Sequence, residues 1–181
     1  MDDNLMVMHT DIYGDILTSA HSLSVNEQRL IYCVLKQMPK GEPIDPNKPF
    51  FISCEDFIEL GANPDNVASD IDQATKDLME RTLCVSTSIG VLEFHWLSQV
   101  LRYDKNAEQK LKEKYPNSND YAEYIDFLRR CNLLESLPSH RTDDVIAKVV
   151  FNESFIPLLS DLKASFTQSL IKDVAGSRAK I

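Results

Sequence analysis

The segment EFHW at 93–96 combines side chains that could carry out acid–base chemistry. Glu93 and His95 are two residues apart, so on a strand they would share a face and could couple an acid with a base. Exposed strands often carry such pairs merely as solvated polar groups. The sequence has no G-x-S-x-G, no H-E-x-x-H and no glycine-rich phosphate loop. We therefore predict that the protein is not an enzyme.

The four cysteines offer metal binding as a second possible chemistry. They are widely separated, form no C-x-x-C pair, and have no histidine at a zinc-site spacing. The sequence predicts buried, reduced thiols, no metal and no cofactor. These cysteines are Cys33, Cys54, Cys84 and Cys131.

Basic side chains near the ends of a predicted hairpin could contact phosphates, although solvated surface charge is the alternative. The net charge of -9 and the pI near 4.9 are unusual for a free-standing DNA-binding domain. Residues 50–103 hold nine acidic and three basic side chains, whereas residues 145–181 hold three and five, so a nucleic-acid surface should lie toward the C-terminal part. The candidate DNA-backbone contacts are Lys76, Arg81, Arg102, Lys105 and Lys148.

Capped helices must position these groups. Ser24 and Glu27 form a capping box at the start of a helix over residues 23–38, whose apolar residues recur at helical spacing. Ser53 caps a second helix that Gly61 ends.

A third helix begins close behind the second. Asn63 can cap it and Pro64 suits its first position, which predicts a helix-turn-helix. The third helix is acidic enough to repel a major groove, so it is predicted to pack and not to read bases. Its acids are Asp65, Asp70, Asp72, Asp77 and Glu80.

Two strands follow, at 82–88 and 91–103, with a turn at Ile89 and Gly90. They predict a β-hairpin of the kind called a wing. Apolar residues of the second strand alternate and should share one face, with Phe94 and Trp96 in the core or stacked on bases. An exposed apolar strand also invites pairing with a second copy of the chain. The predicted dimer interface is Leu92, Phe94, Trp96 and Val100.

The predicted fold class is α+β: a winged helix with a helical insertion between sheet strands, at about 104–144. The domain should span residues 1–176, with a C-terminal helix over 154–166 and a frayed tail at 177–181. No apolar run is long enough for a transmembrane helix, and the acidic start MDDNLMVMHTDIYGD is not a signal peptide. A cytoplasmic location without membrane partners is expected.

Three segments, in this order, resemble the N-terminal winged-helix domain of plasmid replication initiator proteins, the iteron-binding Rep proteins of the Rep_3 type. LTSAHSLSVNEQRLIYCVL at 17–35 is similar to the opening A…LS-x-x-EQRL of that family. FISCEDFIELGANPDNVASDIDQATKDLMERTLCV at 51–85 is similar to its I-S-x-x-D-F block. VVFNESFIPLLSDLKASFTQSLIKDVAG at 149–176 is similar to its strand followed by P-x-L-x-x-L…FT.

This resemblance implies a bacterial protein that starts plasmid replication by binding origin repeats and represses its own gene as a dimer. In such initiators the first winged helix supplies dimer and DNA-backbone contacts, and the second reads the major groove. Host replication proteins are further partners that the resemblance allows.

The chain departs from the family in three ways: it ends at Ile181 before a second domain, it carries the insertion, and its recognition-position helix is acidic. Weak or no sequence-specific DNA binding is therefore expected, with DNA contacted mainly through the missing C-terminal domain. The alternative is a winged-helix protein-interaction module that does not bind DNA.

Overall fold

The structure is a computed structural model and describes residues 22–38, 45–134, 144–156 and 159. The first helix, α1, is Val25–Gln37. Its capping box is confirmed, because the Ser24 hydroxyl accepts from the N–H of Glu27 at 3.2 Å and the Glu27 carboxylate accepts from the N–H of Ser24 at 3.1 Å. The apolar residues predicted for one face of α1 are buried. They are Leu30, Ile31, Val34, Leu35 and, just beyond the helix, Met38.

The predicted helix-turn-helix is present, with a longer turn. Strand β1 is Phe50–Ser53, helix α2 is Cys54–Glu59 and helix α3 is Val67–Glu80. The prediction that α3 begins at Pro64 is wrong. The Asn63 side chain instead accepts from the N–H of Asp65 at 2.9 Å and its carbonyl accepts from the N–H of Asn66 at 3.1 Å, which closes a turn ahead of the helix.

The hairpin is confirmed, but the strand predicted at 91–103 is two strands in different sheets. Within the described ranges, strand β2, Thr82–Thr87, pairs only with β3, Gly90–His95, whereas β4, Leu97–Arg102, belongs to a three-stranded sheet. The chain changes sheets at Trp96. The carbonyl of Trp96 accepts from the N–H of Asn152 at 3.0 Å, and its indole packs on Phe155 with ring centroids 4.6 Å apart.

The three-stranded sheet has the order β1-β5-β4 and is antiparallel throughout, with β5 spanning Val145–Phe151. Its core-facing side chains pack beneath α1 and α3, and Phe50 meets Phe151 edge to face at 6.3 Å. Each such aromatic or aliphatic side chain stabilises the fold by about 1.5–3 kcal/mol, more than an exposed ion pair contributes. Apolar burial therefore fixes the sheet against the helices.

Helices α4, Ala107–Lys114, and α5, Ser118–Arg130, lie between β4 and β5 in chain order. Neither helix has a buried residue. Tyr115, the residue after α4, stacks on Tyr124 of α5 with ring centroids 4.7 Å apart, so the two helices contact each other at this point. No described helix is long and apolar enough to cross a membrane. Most of the C-terminal helix predicted at 154–166 and the tail predicted at 177–181 lie outside the described residues.

Candidate nucleic-acid and dimer interfaces

Arg81, a predicted phosphate contact, is turned into the protein. It follows α3, and its guanidinium hydrogen-bonds both carboxylate oxygens of Glu27: Nη2 lies 2.8 Å from Oε1, and Nε contacts Oε2. Glu27 is fully buried, while the Arg81 side chain is 41% exposed. The hydrogen bond to Glu27 raises the pKa of Arg81. Arg81 thus neutralises a buried carboxylate, which would be costly to leave unpaired.

Arg102 and Lys76, two further predicted contacts, both pair with one acid of α3. Arg102 Nε lies 2.7 Å from Asp72, and Nη2 donates to the hydroxyl of Thr75 at 2.9 Å. Lys76 Nζ lies 2.8 Å from the other oxygen of Asp72. Hydrogen bonding to Lys76, with the charges of Lys76 and Arg102, lowers the pKa of Asp72. Both cations are partly exposed, but each is already compensated by an anion of the protein.

Lys148 and Lys105 differ sharply in exposure. Lys148 is in the central strand and only 8% exposed, and its ammonium donates to Gln99 at 3.3 Å. Lys148 therefore offers little surface to a phosphate in this conformation, and its contact with DNA stays a prediction. Lys105 is exposed in the turn before α4.

The acids of α3 are less uniformly repulsive than their number suggests. Asp72 is compensated by two bases, and Asp77 accepts from Gln73 at 2.9 Å. Burial lowers the pKa of Arg29, and the charge of Asp70 partly opposes that shift. Glu80 remains exposed, and Asp65 is exposed in the turn ahead of the helix. With four acids and one lysine, the helix still has a net negative charge, which disfavours its approach to a phosphate backbone.

The hairpin has an apolar stripe that runs outward from the core. The register places Leu83 opposite Phe94 and Val85 opposite Leu92. Leu83 is buried, Phe94 and Val85 are half-buried, and Leu92 is 48% exposed. Ile89 at the tip is 97% exposed. From 82 to 95 the chain has no lysine or arginine, so the hairpin offers apolar surface and no cation.

The four residues predicted as one dimer face do not share it. Leu92 and Phe94 belong to the hairpin stripe, whereas Val100 lies in β4, half-buried against the core. Trp96 is 1% exposed, so it is a core residue, as the alternative prediction held. Residues before and after Trp96 do not share a face, because the chain turns at Trp96 to enter the second sheet.

Glu93 and His95 have separate partners. Glu93 lies opposite Cys84, whose sulfur is 3.9 Å from a carboxylate oxygen, while His95 Nδ1 lies 3.2 Å from the carbonyl oxygen of Arg81. All four cysteines are free, but Cys84 and Cys131 are exposed, contrary to the prediction of burial. In the part of the chain that the structure describes, no cluster of His, Cys, Asp and Glu could hold a metal ion.

Sequence reasoning missed two polar side chains that organise these surfaces. The ion pair of Glu27 with Arg81 links residues 54 positions apart. The one signal in the sequence that could have predicted it is the position of Glu27 on the apolar, buried face of α1. Gln37 lies against β1, where its amide donates to the carbonyl of Phe51 at 2.7 Å and accepts from the N–H of Phe51 at 3.1 Å. Gln37 thereby satisfies the outer edge of β1 as a neighbouring strand would.

Comparison with known proteins identifies the family. A family model described as Initiator Replication protein, WH1, matches residues 13–180. The X-ray structure of the MSBI1.176 WH1 domain, a replication protein isolated from a multiple sclerosis patient, matches with a TM-score of 0.53 and 18% identity, covering 87% of this chain and 94% of that one. At that identity the match supports the fold alone, and no curated protein sequence matches. The chain belongs to the initiator replication protein family and contains its WH1 domain.

Proposed function

We propose that this WH1 domain pairs with a second copy of itself through the hairpin and the β4 edge. It also contacts the phosphate backbone of DNA, but weakly. Family membership supports a role in the initiation of plasmid replication. The observation that carries the proposal is the hairpin stripe, because apolar surface without lysine or arginine suits a protein partner and not a phosphate.

The edges of the three-stranded sheet also favour β4 as part of the dimer contact. Gln37 occupies the outer edge of β1. On the other side, Tyr103 N–H donates to Ile146, and the register turns the backbone groups of Val100 and Arg102 away from β5. Among the described residues no strand pairs with this edge, and an open edge is a template for a second strand.

The dimer is tested by Leu92→Asp with Phe127→Asp as a matched control, since Leu92 is 48% exposed and Phe127, on α5, is 50% exposed. Both substitutions place a carboxylate on exposed apolar surface outside the core. Sedimentation velocity should show that Leu92→Asp abolishes self-association and Phe127→Asp does not. Equal loss in both variants, or an unchanged dimer in Leu92→Asp, would contradict the proposed interface.

DNA contact is proposed to be weak because few cations are available to replace counterions. Lys76 and Arg102 share Asp72, and Arg81 is committed to Glu27, so three of the five predicted contacts are already compensated by acids of the protein. A fluorescence titration of labelled origin repeats should give a slope of log K against log salt no steeper than about -3, with scrambled DNA bound equally. Nanomolar, sequence-selective binding by the 181-residue chain would contradict this.

The competing function is a WH1 domain that binds other proteins without DNA, including host replication proteins. The acids of α3 and the apolar hairpin favour it over base reading by this domain. A chain that self-associates but does not bind DNA even at low salt would support this competing function. We further propose that bases are read by a second winged helix and that the protein is not an enzyme. It is also proposed to be cytoplasmic, with α4 and α5 as an insertion in the domain.

A further inference from the structure

The hairpin joins the rest of the protein at its base. Leu83 is buried and Phe94, its cross-strand neighbour, is half-buried, whereas every residue from 86 to 93 is exposed. A two-stranded ribbon held in this way can pivot about its base unless polar contacts fix its direction. The side chains at that base therefore decide where the apolar stripe points.

Arg81 is the residue through which both strands of the hairpin are fixed. Its N–H donates to the Asp77 carbonyl at the end of α3 at 3.0 Å, and its own carbonyl lies 3.2 Å from His95 Nδ1 at the end of β3. Its guanidinium is held by two hydrogen bonds to Glu27. Backbone and side chain of one residue thus connect α3, both strands and α1.

Glu27 supplies a rigid anchor for that arrangement. Its carboxylate is fully buried, and Oε1 also accepts from the N–H of Ser24 at 3.1 Å, so it cannot follow a moving guanidinium. Bidentate guanidinium–carboxylate pairs restrict both distance and angle. A displaced hairpin would leave this carboxylate buried without its cation.

We propose that Glu27 and Arg81 are positioning residues that set the direction of the hairpin and thereby present its apolar stripe to the second copy. The proposal rests on the proposed dimer function and adds to it a coupling between the start of α1 and the interface. The EQRL segment of α1 then acts at a distance, since Glu27 touches Arg81 and not the partner.

Glu27→Gln tests the coupling. Glutamine keeps the shape of the side chain and can still accept a hydrogen bond, and the 41% exposed Arg81 can be solvated when its counter-charge is lost. In dilute, monomeric protein, hydrogen exchange of the Val85 and Leu92 amides should rise about tenfold or more, while that of Val149 in the central strand stays unchanged. Self-association should weaken by a similar factor. The emission of Trp96, the single tryptophan, should not change.

Ser24→Ala is the matched control, because it removes the hydroxyl of the same capping box and leaves Glu27 and Arg81 intact. If Glu27 acted only by capping α1, both variants would loosen the same amides. Equal patterns in the two variants, exchange raised uniformly over the chain, or an unaltered hairpin in Glu27→Gln would each overturn the coupling. Failure of the dimer proposal can be distinguished from failure of this coupling. If the wild-type chain never self-associates, the effect of Glu27→Gln on hydrogen exchange in the monomer can still be measured.

Discussion

Two parts of this WH1 domain project from its core, the hairpin β2–β3 and the helical pair α4–α5, and they are attached in opposite ways. The hairpin is fixed at its base by the buried Leu83 and by the pair of Glu27 and Arg81. The helical pair has no buried residue, and its ion pairs are local and exposed, such as Arg130 with Asp126. A projection can present a defined interface only if its base is ordered, so the comparison favours the hairpin as the specific surface.

The largest contrast should appear between two arginine substitutions, Arg81→Ala and Arg130→Ala. Arg81→Ala leaves the fully buried Glu27 without a cation and should lower the free energy of unfolding by about 4 kcal/mol. Arg130→Ala removes an exposed i,i+4 pair and should cost below about 1 kcal/mol. Urea unfolding followed by circular dichroism measures both. Similar losses in the two variants would mean that the hairpin base is no better anchored than α5.

Leucine truncation should give the next largest contrast. Leu83→Ala opens a cavity at the hairpin base and should cost about 3 kcal/mol. Leu128→Ala affects a half-buried residue of α5 and should cost about 1 kcal/mol or less. The same urea transitions report both values. A Leu83→Ala protein as stable as wild type would show that the hairpin packs less tightly than its burial indicates.

Acid should loosen the helical pair through Asp104. Its pKa is lowered by the hydrogen bond from Lys110 and by the N–H of Asn106. A carboxyl group with a lowered pKa stabilises its surroundings above its ordinary pKa, near 4, and that contribution is lost as the pH falls through the lowered value. Between about pH 5 and pH 2, the protection factors of amides in the first turn of α4, which are corrected for the pH dependence of intrinsic exchange, should therefore fall in wild type.

The matched variant for the acid effect is Asp104→Asn. It should show loosened amides in the first turn of α4 already at neutral pH, and a smaller change on acidification. If the variant and the wild type responded alike, the titrating group would lie elsewhere.

The contrast between the projections was only partly predictable from sequence. Capping by Ser24 and Ser53, the helix-turn-helix and the hairpin follow from local rules that involve residues three or four apart, and these were confirmed. The change of sheet at Trp96 was not predictable, because an alternating apolar pattern continues through it. The partner of Arg81 was not predictable either, because a pairing between distant residues leaves no periodic signal in the sequence. The burial of Lys148 was not predictable because the position of a strand within its sheet leaves no such signal.

The smallest effect should come from replacing α4 and α5, residues 107–130, with a flexible Gly-Ser linker of about ten residues. Strands β4 and β5 pair directly, and Tyr103 N–H already donates to the Ile146 carbonyl at 3.0 Å, so the connection between them need only be long enough to close. Loop-closure entropy changes slowly with length, by about 0.6 kcal/mol per doubling. The free energy of unfolding should therefore change by below about 1 kcal/mol, and self-association through the hairpin should persist. Loss of the dimer in a folded variant would instead place the interface on the helical pair, which would reverse the ranking of the two projections.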